Sequence, residues 1–395
     1  MKKKFVPYVV GIPNLSVGLL WAMNMSLIPM LVGTVTDSNR MLGLLVSMGA
    51  FTGIFVQYLA GIISDRSNFK MGKRKPFILG GAIIAAIFIM ILPFSKSYVL
   101  MFVCAFLFYF SLNFFQGPYY TLIPEVVDDN QLGLANGFSK IISVLGSGVI
   151  LVTGPMLWDK NHSFPFLAAA VLGIISVMIG TLPIKENKEK YTKPTKISFD
   201  FIKYPSVLML FASVFFIFLS YGCITPYFVK YCAQQLNFSN ATASNGLFVL
   251  TIVGALFAVP AGIVSDKINR KVVLLAGTVI FTVGLGLAAF ATSVLSLYLL
   301  LSLIGIGFIC IQVTIYAILA EIVPPERLGE FMGIMNLFIS LSQWIATLVM
   351  GWILDTAGFK YFFPVAAVIM FIAAIVVFSS KFNKFVNASN SSVRM

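Results

Sequence analysis

Twelve long apolar runs, separated by polar breaks, leave this chain few structures to choose from. They fall near residues 6–34, 41–63, 77–94, 98–122, 135–156, 164–183, 205–229, 244–264, 272–292, 295–319, 331–353 and 362–379. A helix needs about 20 consecutive apolar residues to cross the hydrocarbon core of a bilayer. Inside lipid, every backbone polar group must also be bonded by the chain itself. Closed barrels meet that demand too, but with short segments that alternate every second residue. The runs here are apolar on every face, as in residues 297–319. The expected fold is therefore all-α, with twelve transmembrane helices. Composition agrees: only 10% of the residues are charged, against about 25% in a soluble domain.

The first run follows Met1-Lys2-Lys3-Lys4. It is too long for a signal peptide and lacks a small-residue cleavage site, so it reads as a mature helix. Lys and Arg then orient the bundle. With the N-terminus inside, all but five of the 27 basic residues (Arg40, Lys96, Lys160, Lys230 and Lys360) fall on the inner side. The positive-inside rule thus expects both termini in the cytoplasm of a multi-pass cell-membrane protein. The same bias accounts for the net charge of +13. It implies a basic face attracted to anionic lipid and no nucleic-acid partner.

Cys104, Cys223, Cys232 and Cys310 lie in or at the ends of apolar runs with no metal-ligand spacing, and His162 is the only histidine. No metal site, cofactor, nucleophile-and-base pair or phosphate loop is expected from these residues. Enzyme chemistry has no foothold.

The chain repeats itself. Residues 61–66 read Gly-Ile-Ile-Ser-Asp-Arg and residues 262–267 read Gly-Ile-Val-Ser-Asp-Lys. Residues 123–137 likewise match 319–333, pairing Glu125 with Glu321, Leu132 with Leu328, Gly133 with Gly329 and Gly137 with Gly333. Extended backward, Gln116 falls on Gln312 and Tyr120 on Tyr316. Each element follows the second or fourth helix of a set of six. Parallel repeats of this kind place a binding site between the halves near mid-membrane. The expected organisation is an N-terminal six-helix bundle (1–183), a Lys-rich cytoplasmic linker (184–204) and a C-terminal six-helix bundle (205–395).

The Gly-x-x-x-Asp-Arg/Lys element resembles the signature loop of the major facilitator superfamily, over nearly the whole chain. The fuller stretch GIISDRSNFKMGKRKPFILGG, with GLLWAMNMSLIPML in helix one, NFFQGPYYTLIPE in helix four and PPERLGEFMGIMN entering helix eleven, resembles the sucrose/proton symporters and their glycoside–cation relatives. That resemblance implies two pseudo-symmetric bundles and a sugar or glycoside substrate, with H+ or Na+ as a possible co-substrate. It also implies an acidic residue and an arginine within helix four. Aligned on Asn113 and Gln116-Gly117-Pro118, this chain carries Tyr109 and Tyr120 there. Each of its fourteen acidic residues falls in a loop or at a helix end by these spans. An intramembrane carboxylate is the usual carrier of a coupled proton, so proton symport is in doubt and a facilitator becomes credible.

What remains at mid-depth is neutral, polar and aromatic. The candidate substrate-binding residues are Asn24, Gln57, Asn113, Gln116, Tyr120, Tyr227, Gln312, Tyr316 and Asn336. Amides that donate and accept suit a neutral polyhydroxylated ligand, and aromatic faces suit its C–H surfaces. The same residues also serve as interhelical glue or interfacial belts. Lys230 is open to two readings, snorkelling to the interface or gripping an anionic substrate. The candidate gating residues are Asp65, Arg66, Arg74, Glu125, Asp266 and Glu321. Asp65 can approach the N-terminus of helix eleven near Gly329 and Glu330, and Asp266 the start of helix five near Gly133. A carboxylate at a helix N-terminus gains about 0.3–1 kcal/mol. Arg66, Lys73 and Arg74 can meet Glu125 or Glu321. The expected function is alternating-access transport of a small neutral solute. The alternatives are an exporter of amphipathic compounds and a non-transporting membrane sensor.

Overall fold

The computed structural model describes residues 3–186, 201–202, 204–324 and 327–383. Most of the expected linker, 184–204, lies outside the described residues. Among the described residues, twelve helices are long and apolar enough to span a membrane. They are α1 Lys3–Met25, α2 Asn39–Arg66, α3 Lys75–Phe94, α4 Tyr98–Val126, α5 Asp129–Lys160 and α6 Phe164–Thr181, then α7 Pro205–Ile224, α8 Asn240–Lys267, α9 Arg270–Ala288, α10 Val294–Ile322, α11 Leu328–Ala357 and α12 Phe359–Ser379.

Local sequence fixes where many of them start. The side chains of Ser38, Ser97, Ser239 and Asn269 accept backbone N–H groups at the starts of α2, α4, α8 and α9, and Ser293 builds a capping box with Ser296 at α10. Each satisfies a donor that the first helical turn leaves unpaired. Proline stands in the first turn of α3, α6 and α7, where its missing N–H is no loss.

Helix one is less regular than a single run from 6 to 34. It is interrupted at Ile12-Pro13 and again at Ser26, before a short continuation, Leu27–Val32. Proline cannot donate to the carbonyl four residues earlier and clashes with it. Pro29 therefore loosens the turn at Met25-Ser26. Helix seven breaks at the corresponding place: α7 ends at Ile224, Thr225-Pro226-Tyr227 intervenes, and Phe228–Gln235 resumes.

The helix pairing repeats. In the first six, α2 packs on α4, α3 on α4 and α6, and α1 on α5 and α6; in the second, α8 packs on α10, α9 on α10 and α12, and α7 on α11 and α12. The two sets meet through α2 against α11 and α5 against α8. Close approaches rest on absent side chains: a Cβ on Gly117 of α4 would stand 2.2 Å from the Gln57 carbonyl oxygen of α2. Small residues at such crossings let backbones meet where lipid offers no hydrophobic drive between helices.

Candidate functional site

The bundle has two unlike ends. The basic end carries Arg66 to Lys75 and Lys267 to Lys271; the opposite end carries the Ser26, Ser38 and Asp355 regions.

At the opposite end the two sets of helices are joined. Asp355 of α11 accepts from the Asn39 and Arg40 backbone N–H groups at 2.7 and 3.0 Å and from Ser38 Oγ at 2.8 Å. Ser26 and Ser244 share a hydrogen bond. Lys230 Nζ donates to the Asp37 carbonyl at 2.6 Å, at this end of the bundle. Tyr227 is placed here as well. Its hydroxyl donates to the Thr347 carbonyl at 2.6 Å, with the Asn39 carbonyl at 3.4 Å, and its side chain is fully buried. The expected substrate contact is thus a strut between α2 and α11. The break at Thr225-Pro226 turns the chain there.

At the basic end the same helices stand apart. Glycines gauge the separation, because a Cβ built on each reports its nearest neighbour. On α11, Gly351 would meet the Asn39 carbonyl oxygen at 2.6 Å, whereas Gly333 and Gly329 meet none of the described residues within 4 Å. On α5, Gly148 would meet the Phe248 ring at 2.6 Å, whereas Gly137 and Gly133 meet nothing. Among the described residues, the space between the halves therefore opens toward the basic end.

Tyr120 is 43% exposed. Tyr316 of the other half lies near enough to act on the Tyr120 phenol electrostatically. Tyr316 stands 3.4 Å from Asn336 Oδ1, and Asn336 is exposed. Gln312 is half-buried one turn away. Three of the nine candidates, Tyr120, Tyr316 and Asn336, are thus brought together.

Asn113, Gln57 and Asn24 are drawn toward packing. Asn113 is fully buried, and its amide nitrogen donates to the Gly49 and Tyr109 carbonyls and to Thr52 Oγ1. Its Oδ1 accepts from Gln57 Nε2 at 2.8 Å. These bonds tie α4 to α2. Asn24 accepts from the Tyr109 hydroxyl, tying α1 to α4. Gln116 differs: it is buried, and its Nε2 has no acceptor among the described residues. The same is true of Trp344 Nε1, whose ring lies 5.3 Å from Phe51 across the two halves. Buried donors are normally bonded; which N–H goes without a partner is visible only once the helices are packed.

The charged residues form two triads. Arg74 is fully buried and bonds Glu125 through Nε and Nη2, Asp65 through Nη2, and Ser64 Oγ through Nη1. Burial favours loss of its proton, but the carboxylates of Glu125 and Asp65 outweigh that and hold its pKa above the ordinary value. Arg270 meets Asp266 at 3.0 Å and Glu321 at 3.5 Å. This corrects the expected partners of Asp65 and Asp266: in this conformation each pairs with an arginine of its own half rather than with a helix start of the other. The reason is distance, since the helix starts near Gly133 and Gly329 have no described residue within 4 Å of a Cβ built there. Arg66 is exposed. Glu186, read as linker, instead accepts from the Lys73, Arg74 and Lys75 backbone N–H groups at 2.6–3.0 Å and caps α3.

A profile of the Major Facilitator Superfamily matches residues 12–208 and 210–392. The chain belongs to the major facilitator superfamily. It is 26% identical over 360 residues to an uncharacterised MFS-type transporter of Methanocaldococcus jannaschii, covering 88% of this chain and 87% of that protein. It is 24% identical to the quinolone resistance protein NorA of Staphylococcus aureus, over 80% of this chain and 81% of that one. The sucrose transport protein SUC4 of Arabidopsis thaliana is 27% identical over 163 residues, 36% of this chain and 32% of that protein. The solved structure of the nucleoside transporter NupG superposes with a TM-score of 0.79 at 15% identity, covering 95% and 99% of the two chains. This major facilitator is a membrane transporter of small molecules, not an enzyme.

Proposed function

We propose that this transporter moves a neutral, hydroxyl-rich solute, a sugar or glycoside, by rocking its two halves around the Tyr120–Tyr316 cleft, with the basic end facing the cytoplasm of the cell. The observation that carries the reading is the chemistry of the cleft. The Tyr120 and Tyr316 phenols, the Asn336 amide and two buried donors without an acceptor among the described residues, Gln116 Nε2 and Trp344 Nε1, offer hydrogen bonds and flat apolar faces. Every carboxylate within a span lies within three residues of its end, so the centre offers a cationic substrate no counter-charge. The sucrose transporter among the relatives supports the same substrate class.

A second reading, export of amphipathic compounds, is favoured by NorA, which aligns over far more of the chain than SUC4. Thermal unfolding of the purified protein across sucrose, glycosides, nucleosides and quinolones separates the two. A ligand present at 100 times its Kd stabilises the folded state by about 2.7 kcal/mol. We expect a rise in melting temperature with a sugar or glycoside, reduced by Gln116→Ala and by Tyr316→Phe. A rise with quinolones alone would replace the sugar reading with the exporter.

A further inference from the structure

We propose that Asp355 is the latch that holds the opposite end of the transporter shut, acting as a helix cap delivered to α2 from the other half. An α-helix begins with backbone N–H groups that lack internal partners. At the start of α2, Ser38 Oγ takes the Met41 N–H at 3.3 Å, from within the same half. Asp355 takes the two before it, Asn39 and Arg40, and the Ser38 hydroxyl as well. The cap of α2 is therefore complete only while α11 lies against it.

The charge is well matched to its place. A carboxylate at a helix N-terminus meets the positive end of the helix dipole. Arg40 Nε stands 3.8 Å away, and Lys230 and Asp37 lie close enough to interact through a hydrogen bond of their own across the same seam. Tyr227 joins the seam one step inward, through Thr347 and Asn39. Gly43 and Gly351 bring the two backbones together beside it; a Cβ on Gly43 would meet the Tyr227 hydroxyl and the Thr347 carbonyl.

These contacts exist in the conformation open at the basic end and are lost when α2 and α11 part at the opposite end. A contact present in one of two states shifts the balance by its differential free energy. Asp355 thus sets how often the opposite end opens, whatever the substrate.

Spin-label distances on the purified full chain test this, on a background with the native cysteines replaced by alanine. One label pair, at positions 96 and 360, spans the opposite end; a second, at positions 70 and 267, spans the basic end. All four positions are exposed. Asp355→Ala should raise the ratio of long to short distances at the opposite end by about tenfold, the scale of a lost helix cap. The basic-end pair should shorten in the same sample, and Tyr227→Phe should move both pairs the same way by less. Should Asp355→Ala fail to fold, Asp355→Asn, which keeps one carbonyl acceptor, carries the same readout. An unchanged ratio at positions 96 and 360 in a cooperatively melting variant overturns the latch. Widening at both ends overturns it too, since that is general loosening.

Discussion

Arg74 Nη2 stands 2.7 Å from Oε1 of Glu125, and the two side chains are 0% and 2% exposed. The second half repeats the arrangement with Arg270 and Glu321, but those side chains are 26% and 30% exposed and Asp266 is 70% exposed. One geometry therefore carries two different energies. Removing one partner of a buried pair strands a desolvated charge and costs about 3–5 kcal/mol. An exposed pair is worth about 0–1 kcal/mol. Arg74→Met should lower the melting temperature of the purified protein sharply, and Arg270→Met only slightly. Equal losses in the two variants would show that burial does not separate the triads.

Asp65 shares Arg74 with Glu125, yet keeps 18% of its side chain exposed. We expect it to leave Arg74 for the start of α11 when the basic end closes. Asp65→Asn should then slow transport while leaving substrate affinity within a few-fold, since the residue lies away from the cleft. The check is initial uptake rate and equilibrium binding on the same preparation. Parent-like rates would remove Asp65 from the gate.

A side chain at Gly351 collides with the Asn39 carbonyl and the Tyr227 hydroxyl, whereas one at Gly333 meets open space. Gly351→Val should drive the protein out of the conformation described, increasing labelling of a cysteine placed at position 39. Gly333→Val should leave that labelling as in the parent. Overpacking of a closed contact costs about 1–3 kcal/mol, enough to displace a balanced two-state equilibrium. If Gly351→Val left position 39 as protected as before, the seam would not be the closed gate.

The span count was legible because hydrocarbon thickness and backbone bonding leave a simple trace in the chain. Expected helix ends fell short by a few residues, as at 41–63 against Asn39–Arg66, because caps and end charges extend helices beyond their apolar stretch. The matching positions of Tyr120 and Tyr316 in the two halves were legible through the internal repeat. Asn113 and Tyr227 were not, because an amide or a phenol at mid-depth reads the same whether it binds a ligand or a neighbouring backbone. Asp355 and Glu186 were passed over for a related reason. Each caps a helix far away in sequence, α2 and α3 respectively, and no local pattern announces such a partner. Arg270 stands four residues after Asp266, and Arg74 nine after Asp65. Aligning the repeats therefore could not pair the two arginines.

Transport should not be driven by protonation of a mid-membrane carboxylate. Burial raises a carboxyl's proton affinity toward the working pH, but Glu125 and Glu321 lie at helix ends in ion pairs with Arg74 and Arg270. In sealed proteoliposomes, a pH gradient alone should let substrate equilibrate without accumulating, with a sodium gradient tried separately. Accumulation against a gradient, lost in Glu125→Gln or Glu321→Gln, would restore proton symport.

Gly53 lies halfway along α2, a helix of 28 residues, and a Cβ there would touch Ser340 of α11 at 3.4 Å. From that crossing outward the two helices are in contact at Gly43 and Asn39; in the other direction Gly61 meets none of the described residues within 4 Å. The crossing is then a fulcrum with arms of about 20 Å on either side, at 1.5 Å per residue. Equal arms give no mechanical advantage, so in the rocking proposed above each ångström of opening at one mouth is returned as closing at the other. A lesion that jams one mouth therefore needs no contact with the second to disable it.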